Sequence, residues 1–126
     1  MIGQTSGIEK SVNAGAAITA YTIGKFGAND NTMIPATSNA DLMFGVFQHD
    51  AGNGSEVRVM LTGISRLKIG AGGIVRGSPV TADASGQGVA ITGAAGTNVQ
   101  SIGIAMATGN AGDIVPVLIA PSRPQQ

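Results

Sequence analysis

The chain has 126 residues, which suggests a single domain, and its seven basic side chains balance its seven acidic ones. This neutrality argues against direct binding of nucleic acid or of an anionic membrane surface, since both need a basic field. Only 11% of the residues are charged, 43% are hydrophobic and none is cysteine, so we expect a packed fold without disulfides or thiolate metal sites.

The first half of the chain is predicted to form an arm followed by short strands. Residues 1–13 are polar without a sustained period, and we interpret them as an extended N-terminal arm. Residues 16–27 are rich in β-branched side chains and predict one strand, or two strands kinked at Gly24. Residues 33–35 form a short extended piece, and the apolar residues 43–48 predict a buried strand.

A turn rich in Gly and Asn at residues 49–55 leads into a strand with clean alternation at residues 56–62. Alternation of this kind indicates that one face of a strand is buried. We expect Val57, Val59 and Leu61 to face the core, and Glu56, Arg58 and Met60 to face away from it.

The second half repeats this style of short strands separated by turns of Gly, Asn, Asp and Ser. A polar tail with two prolines, residues 121–126, is predicted to be extended. The predicted strands lie at residues 64–69, 74–83, 89–93, 101–107 and 113–120.

The two halves also resemble each other. The stretches GVFQHDAGNGSEVRVML (45–61) and GIAMATGNAGDIVPVLI (103–119) align without a gap. Further matches extend upstream with a slightly shifted register, so residues 14–61 and 71–119 are interpreted as two copies of one β unit joined by the strand ISRLKI. The aligned upstream pairs are Ala14 with Ala71, Gly15 with Gly72, Ile18 with Val75, Ile23 with Val80 and Ile34 with Ile91.

These features predict an all-β fold: one domain over residues 14–120, a small barrel or sandwich of two similar units with extended arms at both ends. Each unit has one apolar face that it cannot bury alone, but two units can bury both faces together. The repeat places Pro116 at the position of Arg58, so both are expected to point away from the core. Proline lacks an N–H, so we expect an outer edge or a break in the last strand at Pro116.

The residues that could carry chemistry are few. His49 stands beside Asp50, which would suit a general base, but no nucleophile motif accompanies the pair, and we interpret His49 as an exposed turn residue. The GAGG stretch at residues 70–73 lacks the Lys and the helix of a phosphate loop. We therefore expect no catalytic residues, no cofactor and no metal site. The seven acids are scattered singly, and Asp113 is interpreted as a turn residue.

The basic residues of the middle of the chain are interpreted as solvated or interface-rim charge. With one Tyr, three Phe and no Trp, the chain offers no stacking platform for single-stranded nucleic acid. No apolar run approaches the roughly 20 residues of a membrane helix, and the N-terminus does not resemble a secretory signal. The basic residues are Arg58, Arg66, Lys68 and Arg76.

The order of several motifs resembles the small capsid decoration, or cement, proteins of tailed phages. In that family a stretch G-V-x4-A-x2-G-x2-V-x-V, a stretch V-T-A-D-x2-G and a terminal stretch A-G-D-x-V-x-V recur in this order. Here they stand at residues 45–59, 80–86 and 111–117, and the resemblance covers residues 14–120.

The resemblance implies a structural virion protein that is made in the host cytoplasm and binds the outer face of the capsid. Its partner would be the major capsid protein, whose subunits it would bridge as a homotrimer at threefold and quasi-threefold positions. Polar arms at both ends would reach neighbouring subunits and become ordered on contact.

Two other functions fit the residues less well. Residues 17–27 and 73–83 resemble short hairpins of some sugar-binding and pilus-assembly domains, so a carbohydrate- or protein-binding β module without catalytic activity is the main alternative. An enzyme that acts through His49 and Asp50 is the second alternative.

Overall fold

The computed structural model describes residues 8–91 and 99–122, and of residues 121 and 122 it describes the backbone. This part of the chain is built from β-strands and connecting turns, without a helix, which confirms the predicted all-β fold. The strands are β1 (Glu9–Ala14), β2 (Ile23–Phe26), β3 (Thr32–Pro35), β4 (Gly45–Phe47), β5 (Glu56–Met60), β6 (Gly63–Lys68), β7 (Pro79–Ala82), β8 (Gly88–Ala90), β9 (Ser101–Ala105) and β10 (Ile114–Ser122).

The first five strands form a closed barrel in the order β1-β3-β2-β4-β5, and β5 pairs with β1 to complete the circle. All of its neighbouring strands are antiparallel except β1 and β3, which are parallel. Closure removes the exposed strand edges that an open sheet presents.

The last five strands form a second sheet in the order β6-β10-β9-β7-β8. Read from β1, the barrel has the same order, β1-β5-β4-β2-β3, with the same antiparallel pairings. Even the parallel closure has a counterpart, since Ile69 and Gly88 form an isolated parallel bridge between the ends of β6 and β8. The molecule therefore consists of two units of one topology, β1–β5 and β6–β10.

Three predicted boundaries need correction. The extended arm predicted at residues 1–13 is wrong from Glu9 onward, because residues 9–13 belong to β1 and pair with β5. The strand over residues 64–69 does not join the units but is the first strand of the second one. The last strand continues to Ser122, two residues into the predicted tail, whose remaining residues 123–126 lie outside the described part, as do residues 1–7.

Backbone conformation repeats between the units as well. Left-handed positions, which most residues avoid, recur at matching places in the two units. They are Tyr21 with Gly77 at φ of 62° and 89°, Asn31 with Gly86 at 61° and 75°, and Gly54 with Gly112 at 87° and 89°. The Gly54 N–H donates to Ala14 O at 2.7 Å, and the Gly112 N–H donates to Ile69 O at 2.8 Å.

The upstream part of the sequence alignment is wrong by one or two residues. Gly24 pairs with Gly45, while Val80 pairs with Gly103, so Val80 is the counterpart of Gly24 and not of Ile23. Likewise Ile18 bridges Ala51 and Ile74 bridges Gly109, which matches Ile18 with Ile74 instead of Val75. The loops of the units differ in length, and matches among Gly, Ala and Ile cannot locate such differences.

The inward valines of β5 and β10 are confirmed, since Val57, Val59, Val115 and Val117 are all buried. Val57 and Val59 fill the barrel together with Val12, Met33 and Phe47. Val115 and Val117 belong to a larger core that includes side chains of both units.

Met60 was predicted to face away from the core, and this is wrong. It does lie on the outer face of the barrel, but the second unit covers that face, and Met60 is fully buried. Ile23 and Val46 are buried on the same face. Hydrogen bonds join the units around this core: Ile23 N–H to Gly86 O at 2.7 Å, and Lys68 N–H to Tyr21 O at 2.8 Å.

Candidate functional site

A concave surface lies at one end of the barrel, and we call it the barrel mouth. Val12 and Met33 form its floor, and both belong to the barrel core. Lys10 lies two residues before Val12 on β1, and Phe26 pairs with Met33 across β2 and β3. The cavity measures about 340 Å³, and its lining is completed by Asn31, Thr32, Phe44 and Leu61.

The barrel mouth is predominantly apolar and partly aromatic. The rings of Phe26 and Phe44 pack with centroids 4.2 Å apart, and Phe26 remains 60% exposed. Lys10 is the one charged side chain of the lining. A concave apolar surface with one charge at its rim suits contact with protein side chains and does not bring together the polar groups that catalysis needs.

His49 and Asp50 do not form a catalytic pair. The His49 Nε2 accepts a hydrogen bond from the Arg58 backbone N–H at 3.1 Å, and the Nδ1 lies 3.0 Å from the backbone oxygen of Asp50. The Asp50 carboxylate instead accepts from the Ala20 N–H at 2.7 Å. His49 is therefore a half-buried turn residue that binds backbone groups, so the turn is as expected and only the predicted exposure is wrong.

The repeat explains how Pro116 is tolerated. It is buried, and its strand β10 lies between β6 and β9, so the predicted outer edge or break is wrong. Its oxygen accepts from the Met106 N–H, just past the end of β9, so its nitrogen faces that side, where the ladder has stopped. In the first unit Arg58 has an N–H at this place and His49 supplies the acceptor, while in the second unit proline needs none.

This relation predicts coupling between His49 and Arg58. We expect His49→Ala to lower the free energy of unfolding by about 1 kcal/mol, because the Arg58 N–H loses its acceptor. In an Arg58→Pro background the same change should cost nearly nothing. Urea unfolding of the four proteins in a double-mutant cycle measures the coupling, and equal costs of His49→Ala in both backgrounds would contradict it.

Asp41 secures the loop between β3 and β4. Its Oδ2 lies 3.0 Å from the Lys25 Nζ and accepts a hydrogen bond from the Thr37 N–H at 2.9 Å. Partial burial by itself raises the pKa of Asp41. The N–H groups of Thr37 and Ser38 and the Lys25 ammonium outweigh that effect and hold this pKa below its ordinary value.

The lowered pKa predicts a pH-dependent contribution to stability. Because the folded pKa lies below the unfolded value of about 3.9, ionised Asp41 stabilises the fold above that pH. The contribution is lost as the pH falls through the folded pKa. We expect the stability difference between wild type and Asp41→Asn to be largest near neutral pH and to shrink in acid.

Unfolding at a series of pH values measures this difference. Lys25→Met serves as the control, because it removes the ammonium but keeps the Thr37 donor, and its pH-dependent loss should be smaller. A difference between wild type and Asp41→Asn that stays constant across the pH range would show that Asp41 acts only through packing.

The other motifs singled out in the sequence lie in turns that are held by local hydrogen bonds. In the GAGG stretch the Gly73 N–H bonds back to Gly70 O in a turn. Asp113 Oδ2 accepts from the Asn110 N–H at 2.9 Å, so it is the turn residue that the sequence predicts. Within residues 8–91 and 99–122 no three His, Asp or Glu side chains stand close enough to hold a metal ion.

The basic residues of the middle of the chain are divided between the two units. Arg58 lies on β5 of the first unit, whereas Arg66 and Lys68 lie on β6 of the second unit. Over the same described residues, no helix has the length and apolar character needed to span a membrane.

Two apolar surfaces were missed by the sequence analysis. The first is the barrel mouth, whose Phe26 and Phe44 come from separate ends of strands and meet only in the folded barrel. The second is the outer face of the second unit, where Ile104 and Leu118 stay exposed. The sequence of the last strand indicates this second surface, because it carries apolar residues on both faces.

The hairpins proposed for the carbohydrate-binding alternative do not form. Residues 17–27 contribute the bridge at Ile18 and the single strand β2, which pairs with β3 and β4. Residues 73–83 contribute the bridge at Ile74 and β7 in the same manner.

Comparison with known proteins identifies a family over nearly the whole chain and a solved structure with a similar fold. The fold is similar to the N base of the head fiber protein gp8.5 of bacteriophage phi29, with a TM-score of 0.69 and 18% identity over 94% of this chain and 98% of that chain. No curated protein matches the sequence significantly. The family model described as phage cement protein matches residues 2–119. The chain therefore belongs to the phage cement proteins, a family of structural, capsid-associated proteins.

Proposed function

We propose that this protein binds the outer surface of a phage capsid and stabilises it by bridging major capsid protein subunits. The observation that carries the proposal is the match of the cement protein family to nearly the whole chain. A cement protein adds stability by joining subunits that internal pressure would separate. Its contribution depends on the contact area it makes with each of them.

The surface of the molecule supports a role in contact with protein. The chain carries no net charge and few charged residues, so its approach to another protein meets little electrostatic repulsion. Ile8, Leu42 and Val75 are more than half exposed in addition to Phe26. Apolar side chains that adjoin one another on a surface, such as Phe26 and Phe44 in the barrel mouth, mark sites of contact with other molecules.

The proposal includes no catalytic activity and no cofactor. The one histidine is engaged with backbone groups of its own turn and of β5. We further propose a homotrimer at threefold and quasi-threefold positions on the capsid exterior, made in the host cytoplasm, with the terminal residues reaching neighbouring capsid subunits.

The experiment uses phage heads that lack this protein. Purified protein should co-sediment with expanded heads to a saturable stoichiometry and raise the temperature at which the heads rupture. Immobilised glycans form the second arm, and retention on them without retention on heads would support the carbohydrate-binding alternative. Failure to co-sediment, or co-sedimentation without a gain in head stability, would contradict the proposal.

Two variants sharpen this experiment. His49→Ala should bind heads within about 1 kcal/mol of wild type, because it lies in a turn that supports β5. Deletion of residues 1–7 leaves β1 intact and should weaken head binding while the thermal midpoint of the isolated protein stays nearly unchanged. A longer deletion would not be informative, since Glu9 and Lys10 pair with Met60 and Val59.

A further inference from the structure

An apolar row crosses the outer face of the second unit. Leu118 on β10 pairs with Ile64 on β6 and with Ile104 on β9, and Ile104 pairs in turn with Pro79 on β7. Leu118 is 43% exposed and Ile104 37% exposed. The row therefore spans four adjacent strands without a charged side chain, and we call it the outer row.

The first unit shows what covers this position in the same molecule. The counterpart of Leu118 is Met60, and the counterpart of Ile104 is Val46, because these residues pair in the same way within β4 and β5. Met60 and Val46 are fully buried beneath the second unit. Within this molecule, one β unit therefore covers the residues that correspond to the outer row on the other unit.

At the barrel mouth the difference between the units is reversed: the residues of the first unit are open, and their counterparts in the second unit are buried. Phe44 lines the open mouth of the first unit, and its counterpart Ile102 is fully buried in the second. Leu61 lies at the rim, and its counterpart Ile119 belongs to the core. Each chain therefore leaves one raised apolar row and one apolar cavity without a partner among its described residues.

We propose that the outer row of one copy docks into the barrel mouth of a second copy. One surface is a row of aliphatic side chains on a sheet, and the other is an apolar cavity of about 340 Å³. They are also compatible in charge, since Lys10 is the one charged side chain on either surface and meets no cation on the other.

The contact is head-to-tail, because it joins different surfaces on the two copies. Contacts of this kind close into a ring when the rotation between copies permits. This head-to-tail contact would be the interface of the homotrimer in the proposed function, and the inference rests on that function. The trimer proposed above is one such ring.

The experiment tests the two surfaces separately and then together. Leu118→Lys places a charge in the outer row, and Phe26→Asp places one in the barrel mouth. Both residues are exposed, so we expect both variants to fold. Each should weaken self-association at least tenfold in sedimentation equilibrium, whereas Val75→Lys, a change at an exposed apolar residue outside both surfaces, should leave it unchanged.

Mixing the two variants distinguishes a head-to-tail contact from a symmetric one. The Leu118→Lys copy keeps an intact mouth, and the Phe26→Asp copy keeps an intact row, so the mixture should form one-to-one heterodimers that grow no further. A mixture that stays monomeric, or a wild-type protein that is itself monomeric, overturns the inference. If Leu118→Lys lowers the thermal midpoint, Ile104→Lys tests the same row.

Co-sedimentation of the same variants with heads separates this inference from the proposed function. Variants that are monomeric in solution but still bind heads would leave capsid binding standing by itself. Wild-type protein that associates through these surfaces but does not bind heads would sustain the inference and contradict the proposed function.

Discussion

Replacing Gly103 by alanine should lower the free energy of unfolding by at least about 3 kcal/mol. A Cβ at this position would overlap the carbonyl oxygen of Leu118 and approach the Ala120 nitrogen to 3.1 Å. Both are backbone atoms of β10, which is held on its other side by β6, so the strand cannot move aside. Gly45 has the matching constraint, since its Cβ would lie 2.6 Å from Met60 O.

Thermal unfolding measures this effect, and we expect Tm to fall by about 10 °C or more for Gly103→Ala. Gly52→Ala is the matched control. Gly52 is exposed, and the nearest atom to its Cβ would be the Ser55 Oγ at 3.9 Å, so its replacement should change stability little. Equal stability of the two variants would show that β9 and β10 do not approach each other as described.

The second large effect is expected at Met60. Met60→Ala should cost about 2–5 kcal/mol, because it opens a cavity in the core shared by the two units. Leu118→Ala is the control that the repeat itself provides, since Leu118 occupies the same place in the second unit and is 43% exposed. In monomeric protein at low concentration, Leu118→Ala should cost well under half as much.

Chemical unfolding of both variants with a common wild-type reference gives the comparison. A large cost for Met60→Ala with a small cost for Leu118→Ala would support the asymmetric packing of the units. Similar costs at both positions would contradict it, because equal losses require equal burial of the two outer faces.

The sequence predicted the strands of both units except β1, and it predicted the matching of residues 45–61 with 103–119. That matching succeeded because this stretch has the same length in both copies and because its glycines are required by geometry. Gly54 and Gly112 share a left-handed conformation, and Gly45 and Gly103 lie against the neighbouring backbone. Upstream of these stretches the loops of the two units differ in length, and composition alone gave the wrong alignment between the units there.

Other errors share a physical cause, which is the docking of one unit on the other. Alternation along β5 correctly places Met60 and Val59 on different faces of the strand. It cannot show that the second unit covers the face that carries Met60. The sequence of β1, EKSVNA, buries only Val12 and Ala14, so its pairing with β5 was invisible. The missing N–H of Pro116 predicted a strand edge or a break. The sequence does not show that β9 ends beside Pro116, so that no donor is needed there.

The barrel mouth and the outer row could not be predicted for the same reason. Lys10, Phe26 and Leu61 are distant in sequence and meet only because the barrel closes. The exposure of Leu118 depends on which of two equivalent faces the molecule covers, and the sequence of either unit alone does not contain that choice.

Electron cryomicroscopy of heads decorated with the purified protein tests the proposed function most directly. The account predicts density for the two-unit β domain on the outer surface of the head, in contact with at least two major capsid protein subunits. Density confined to one subunit, density on the inner surface, or heads that remain bare at saturating protein would contradict it.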